Sequence, residues 1–381
     1  MDKIVIGMGF GDEGKGTMVD YLTKVEVDNG QSVTVVRYCG GHQAGHQVVL
    51  PNGKSHIFSQ FGSGTFHGAA TYHTRHSMFE PIAFNKERDA LLGFGLNPHV
   101  TCHPKCLVTT PLHKYMNHIR RIVKRSNDTC GVGIGETREY RLKYGNDAIV
   151  FEDLDSPDLT EKLYLMRDRY ADELSYGPHS TDVQKYRNVL DSVYILYNLL
   201  LQFNIETYIH QLDAMHIPLC STSPPPSDTI IYESTQGILL DEHYGTKPHT
   251  TWGSLTPDKA TQLDFSKDIE IIGVIRNHMS RHGDGPFIPN GEVRPKNDHN
   301  HYNVNQGDIK YGRHDENAKI GLIRQAADAV KATSYGYSVN WAVTHCDYNA
   351  PGYDEEFLHS FFPIKYKSFG QTWKDKKEIS I

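Results

Sequence analysis

Between Gly7 and Thr17 the chain reads Gly-Met-Gly-Phe-Gly-Asp-Glu-Gly-Lys-Gly-Thr, directly after the apolar run Ile4-Val5-Ile6. A strand entering a glycine-rich turn and then a helix lets backbone N–H groups close on a phosphate, which the helix N-terminus also favours. Two phosphate fingerprints nearly fit. Gly9-x-Gly11-x-x-Gly14 satisfies the dinucleotide pattern but puts Asp12 and Glu13 where a pyrophosphate must approach. Gly9 to Lys15 matches a P-loop until Gly16 replaces the hydroxyl that would bind Mg²⁺. Asp12, a hard oxygen ligand inside the loop, is then the candidate to hold that ion together with substrate phosphates.

A second segment, Arg37-Tyr-Cys-Gly-Gly-His-Gln-Ala-Gly-His46, follows the strand-like Ser32 to Val36. Two glycines before His42 allow the backbone to approach a ligand, and an imidazole suits proton transfer near neutrality. His42 is the better acid candidate. Taken alone, His42 and His46 also read as metal ligands or as ordinary satisfied histidines.

Together the two segments resemble the adenylosuccinate synthetase family, whose hallmarks are Gly-Asp-Glu-Gly-Lys-Gly and Gly-Gly-His-x-Ala-Gly-His. Further blocks match in order: Cys130 to Gly135, Glu233 to Asp241, His243 to Thr251, Gly273-Val-Ile, and Ser280-Arg-His-Gly-Asp-Gly-Pro-Phe287. The resemblance implies an α/β fold with a large, mostly parallel central sheet flanked by helices, a P-loop-like phosphate loop and long ligand-binding loops. It also implies a ligase that joins L-aspartate to C6 of IMP, using GTP or ATP and Mg²⁺. A purine 6-oxygen leaves poorly, so it must first become a phosphate ester. By resemblance, Asp12 is the base that removes the N1 proton and also touches the metal, with the carbonyl of Gly41. His42 is the acid at O6, and Lys15 with Mg²⁺ neutralises the phosphates.

The same resemblance assigns the donor phosphates to Gly11, Gly14, Lys15, Gly16 and Thr17, and the 6-oxo edge of the acceptor base to Gln236. Thr129, Cys130, Leu240 and Thr251 complete the acceptor site. A homodimer is implied in which Arg141 or Lys143 reaches the neighbour's monophosphate. Arg313 resembles the first arginine of an aspartate loop, but the chain continues His314-Asp315-Glu316 where the family has more arginines. Asp347, Ser368 and Gly370 resemble the donor-base pocket, with His345 in place of its usual lysine, which keeps ATP beside GTP. Gly9, Phe10 and Val132 replace larger or polar family residues. Space opened by Gly9 would admit the 2-amino group of dGMP, the acceptor of a phage branch. A nucleotide-binding homologue without synthetase activity is the reading from a second class.

Composition agrees with an enzyme of small molecules. The 381 residues carry a formal charge of −7, which argues against nucleic acid as a partner, and no apolar run approaches a membrane span. The early strand predicts no leader, and hence a cytoplasmic setting, the host's if the chain is viral. The basic run Arg120 to Arg125 reads as a solvated helix face. Six cysteines are scattered without paired Cys-x2-Cys spacing; Cys102-His-Pro-Lys-Cys106 lacks a second ligand pair for zinc. Strand-like runs at 4–6, 33–36, 48–50, 107–109, 229–232, 269–275 and 341–344 alternate with helical ones near 14–24, 111–125, 186–203 and 317–333. This alternation predicts one α/β catalytic domain over residues 1–381, with ligand loops at the carboxyl ends of parallel strands. Cys220 to Ser227 reads as a rigid connector, and Asn297 to Asn303 as a mobile polar loop.

Overall fold

The computed structural model describes residues 1–124, 129–176, 181, 184, 191–262, 268–295 and 308–379. The loop expected at 297–303, the first residues of the helix expected at 186–203 and the last of the one at 111–125 lie outside the described residues.

Ten strands make the central sheet among those residues: β1 Asp2–Gly7, β2 Val33–Arg37, β3 Ala70–His73, β4 Val100–Cys102, β5 Leu219–Cys220, β6 Thr229–Gly237, β7 Ile269–Arg276, β8 Ser338–Thr344, β9 Ile364–Ser368 and β10 Lys376–Glu378. Their order is β10-β9-β8-β7-β1-β6-β2-β3-β4-β5. Every neighbouring pair is parallel except β9 with β10.

Both faces are covered, which is why the central strands read as apolar runs rather than alternating ones. Every residue of β7 is buried. In β1, Ile4 and Ile6 turn to a core shared with the helix Leu322–Thr333. Val5 turns to the opposite core, where Met18, Val19 and Leu22 of the helix Lys15–Asp28 pack. A separate helical core, built on Pro111–Lys124, Ile134–Tyr144, Leu159–Tyr176, Asp191–Leu201 and Ile205–Asp213, lies beside the sheet.

Three expectations change in detail. The strand near 48–50 is His46–Val49 of an antiparallel hairpin, outside the main sheet. Leu107–Val108 pairs with Met78–Phe79 and bridges to Val150, outside the main sheet. The helix expected at 317–333 is two, His314–Lys319 and Leu322–Thr333, because Gly321 adopts φ +83° between them.

Candidate active site

Adjacent parallel strands deliver their following loops to one edge, and β7, β1, β6 and β2 stand side by side. The loop after β1 turns through left-handed backbone at Gly11, Asp12 and Gly14 before the helix starts at Lys15. Asp12, at φ +62°, is the non-glycine member. Glu13 folds back into this loop and accepts from Gly9 N at 3.0 Å, Gly11 N at 2.7 Å and Lys15 Nζ at 2.8 Å. Burial alone would raise its pKa, but Lys15 and the Gly11 N–H outweigh burial and hold it below the usual carboxylate range. The donors expected for a phosphate are thus engaged by the chain's own carboxylate. A Cβ at Gly9 would lie 3.1 Å from Glu13 Oε1, so the space expected beside Gly9 is taken by Glu13.

The loop is clasped from three sides. Leu239 N donates to Gly9 O at 3.0 Å, and a Cβ at Gly237 would stand 2.1 Å from that same oxygen, so only glycine permits the approach. Thr344 Oγ1 donates to Glu13 O at 2.7 Å, and Arg276 Nε to Asp12 O at 2.5 Å. Gln236 therefore lies at the end of β6 next to the phosphate loop, and its Oε1 is buried with no hydrogen-bond partner.

After β2, Gly40 takes φ +60° and passes so close to β6 that a Cβ would meet Thr235 Oγ1 at 2.4 Å. His42 follows with both ring nitrogens buried and unpartnered. Burial, then the charge of Lys114, pushes its pKa down to about 3, so at neutral pH it offers a hydrogen-bond donor rather than a preformed cation. His46 is placed differently. Its Nδ1 meets Glu233 Oε1 at 2.5 Å and its Nε2 meets Thr235 O at 3.2 Å. Glu233 also binds Arg37 at 3.2 Å and accepts from Ser63 N at 3.1 Å. Burial would raise the Glu233 pKa, yet His46 and Arg37 hold it at about 2. His46 is thus a satisfied core histidine that locks β2's loop to β6.

The turn at 129–133 sits against these loops. Thr129 Oγ1 accepts from Gly131 N and donates to Asn117 Oδ1, both at 3.2 Å. Gly133 in the left-handed region starts the helix Ile134–Tyr144. A Cβ at Gly41 would strike Ile134, and one at Gly135 would lie 3.0 Å from Trp252, next to Thr251. Thr251 N in turn donates to Leu240 O at 2.7 Å. Thr129, Cys130, Gly41, Leu240 and Thr251 are therefore on neighbouring segments. Arg141 and Lys143 are not among them: they occupy the far turn of that helix, bound to Gly145 O and Glu173.

On the other flank, Cys346 N donates to Ser368 O at 2.8 Å, which ties the loop of Asp347 to that of Ser368 and Gly370. His345 there adopts φ +62°. Arg313 forms two bonds with Asp315, at 2.9 and 2.8 Å, so the aspartate-loop arginine already holds a carboxylate. Three residues carry contacts that the sequence reading gave no role: Arg276 on Asp12 O, Lys114 beside His42, and His282, whose Nε2 lies 3.4 Å from Asp12 Oδ2. The glycines around His282 were the signal available for it.

The donor set bears on magnesium. Among the described residues no cluster of three His, Cys, Asp or Glu side chains could form a protein cage for a metal. A partly exposed Asp12 carboxylate instead suits an ion that brings phosphates and water as most of its ligands. The Gly41 carbonyl, which accepts from Ala44 N at 3.2 Å, keeps a second lone pair.

A mostly parallel α/β sheet with a glycine-rich loop after its central strand, and polar side chains gathered at the carboxyl edge, defines an α/β protein whose strand-end loops form the candidate ligand site. Comparison with known proteins narrows this. The model of the adenylosuccinate synthetase family matches residues 4–309, and the chain belongs to that family. The adenylosuccinate synthetase of Mannheimia succiniciproducens is 29% identical over 293 residues, 74% of this chain but 63% of that protein. The chain therefore spans less than two thirds of the length of such curated relatives. Among solved structures, the fully ligated enzyme of Plasmodium falciparum superposes with a TM-score of 0.66 at 15% identity, covering 100% of both chains. The succinoaminodeoxyadenylate synthetase of cyanophage S-2L, bound to dGMP and dATP as an energy donor, gives 0.64 at 14% identity, covering 100% of this chain and 95% of that one. At such identities the likeness concerns the fold. No helix among the described residues is long and apolar enough to cross a membrane.

Proposed function

We propose that this protein joins the amine of L-aspartate to C6 of a 6-oxopurine nucleoside monophosphate through a 6-phosphoryl intermediate. The observation that carries the reading is a group of buried polar atoms without protein partners, Gln236 Oε1 at the end of β6 and His42 Nδ1 and Nε2 on the loop after β2, on one side of the β1 loop that bears Asp12. Buried polar atoms generally find a partner. Other buried atoms of this chain, both ring nitrogens of His314 among them, also lack one. The weight therefore falls on the place of these three at the carboxyl edge of the sheet, where a polar ligand can reach them.

In this reading Asp12 takes the N1 proton, and O6 attacks the γ-phosphorus of the donor as the bond to the diphosphate breaks. Gln236 holds the base edge and His42 donates to the developing charge at O6. Lys15 leaves Glu13 for the incoming phosphates. The aspartate amine then attacks C6 and phosphate departs. Asp12 and the Gly41 carbonyl would hold magnesium, which when bound supplies positive charge against the donor phosphates. Donor phosphates fall to Gly11, Gly14, Gly16 and Thr17, and its base to Asp347, Ser368 and Gly370. Thr129, Cys130, Leu240 and Thr251 surround the acceptor, and Arg313 takes a carboxylate of aspartate. The chain would work in the cytoplasm as a homodimer, Arg141 or Lys143 serving the neighbour's acceptor.

IMP with GTP is the principal pair. The loss of the donor-pocket lysine to His345 favours testing dGMP with ATP or dATP as the second. Phosphate release, measured over this grid with Mg²⁺ and aspartate, is expected to require all three substrates and to select one pair. No release with any pair would leave a nucleotide-binding homologue without synthetase activity.

A further inference from the structure

We propose that His282 is a positioning residue for Asp12, an assignment that rests on the reaction just described. Asp12 has little backbone freedom: its φ is +62° and its carbonyl is held by Arg276 Nε at 2.5 Å. What remains free is the direction of the carboxylate. Among the described residues, His282 is the side chain within ion-pair distance of it, with Nε2 at 3.4 Å from Oδ2.

The contact joins two loops that are docked by their neighbours. The Arg281 guanidinium lies 4.0 Å over the ring of Phe10, and Phe287 meets the same ring edge-on at 6.1 Å. Arg281 also donates to Pro286 O at 3.2 Å, which fixes the curve of its own loop. One residue further on, the His282 ring is thereby presented to a residue two positions after Phe10.

The second ring nitrogen supports a role toward ligand. His282 Nδ1 is buried and has no hydrogen-bond partner. A ring that carries its proton on Nε2 donates toward Asp12 and leaves Nδ1 as an acceptor for a donor group on the acceptor nucleotide. A separation of 3.4 Å is long for a formed hydrogen bond, and such contacts at reacting groups shorten when the substrate is in place. His282 would then aim the Asp12 carboxylate at the N1 proton without itself reacting.

The test compares His282→Ala with His282→Gln, whose terminal amide N–H reproduces the donor. His282→Ala is expected to lower kcat about 10- to 100-fold with KM for the donor nucleotide within about threefold of wild type, and His282→Gln to restore most of it. Full kcat in His282→Ala would overturn the proposal. So would equal loss in both variants. A second measurement does not depend on turnover: in ¹⁵N-imidazole spectra of the protein without substrates, Asp12→Asn is expected to shift the Nε2 resonance of His282, and an unmoved resonance would also overturn the pairing. Absence of phosphate release by the wild-type protein, with that resonance shifted, would instead overturn the reaction and leave the pairing standing.

Discussion

His42 and His46 belong to one glycine-rich segment, four residues apart, and the protein uses them in opposite ways. His46 meets a carboxylate and a carbonyl, inside a buried network with Arg37, Ser63 and Glu233. His42, equally removed from water at its nitrogens, has no protein partner at either. Burial lowers the pKa of both imidazoles and favours the neutral ring. At His46, Glu233 opposes that effect and the ring atoms are compensated within the chain, whereas at His42 nothing among the described residues does either. Residue type and burial alone therefore do not distinguish a structural histidine from a functional one. The inventory of partners, read together with the place of the residue at the carboxyl edge of the sheet, does.

The sharpest way to break this comparison is the same substitution at both positions. His42→Asn is expected to lower turnover about 100- to 10,000-fold while the melting temperature stays within a few degrees. His46→Asn is expected to cost on the order of 2–3 kcal/mol of stability, because it leaves Glu233 and Thr235 O short of donors. Steady-state phosphate release and chemical denaturation separate the two. Comparable turnover losses with comparable unfolding at both sites would erase the distinction.

A smaller effect is expected from the network's own titration. Glu233 is held at about 2 against an ordinary 4.5. The folded state keeps this carboxyl ionised where the unfolded chain takes up a proton. The stability it contributes is fully present above pH 4.5 and is lost as pH falls through that value toward 2, a few kcal/mol at most. Glu233→Gln is expected to be less stable at pH 7 and to show a shallower decline over that acid window. Denaturation midpoints between pH 6 and 2.5 measure it, and parallel pH curves for both proteins would dissociate Glu233 from the acid limit.

Much of the scaffold was legible because central parallel strands are apolar on both faces. Ile4 to Ile6, Val33 to Val36, Ile269 to Ile275 and Trp341 to Thr344 all fall within the sheet. The outer strands escaped notice. Ala70–His73 buries Thr71 and His73, and Val100–Cys102 is three residues long, so neither shows an apolar run or a clear alternation. The helix Ile134–Tyr144 was hidden by its many charged residues. The motif loops at 7–17 and 37–46 were visible because glycine spacing is a local property. Their occupants were not, since the return of Glu13 into the phosphate loop and the meeting of Asp12 with His282 depend on side-chain packing.

The weakest effect is expected where a residue read as a ligand holder is already satisfied. Arg313 grips Asp315 two residues on, and the backbone of Gly352 closes over the pair: a Cβ there would lie 2.2 Å from Asp315 Oδ1. The bonds from Arg313 hold the Asp315 carboxyl below its usual range, so at neutral pH it competes as an anion with any incoming carboxylate. The pair is partly exposed, with 30% and 38% of the two side chains open to solvent, so water screens it and the competition is modest. Asp315→Asn is accordingly expected to lower KM for aspartate about two- to fivefold with kcat unchanged. A rise in KM would show that Asp315 orients the guanidinium for its substrate rather than competing with it, and Arg313 would then move from the satisfied side of the comparison to the side of His42.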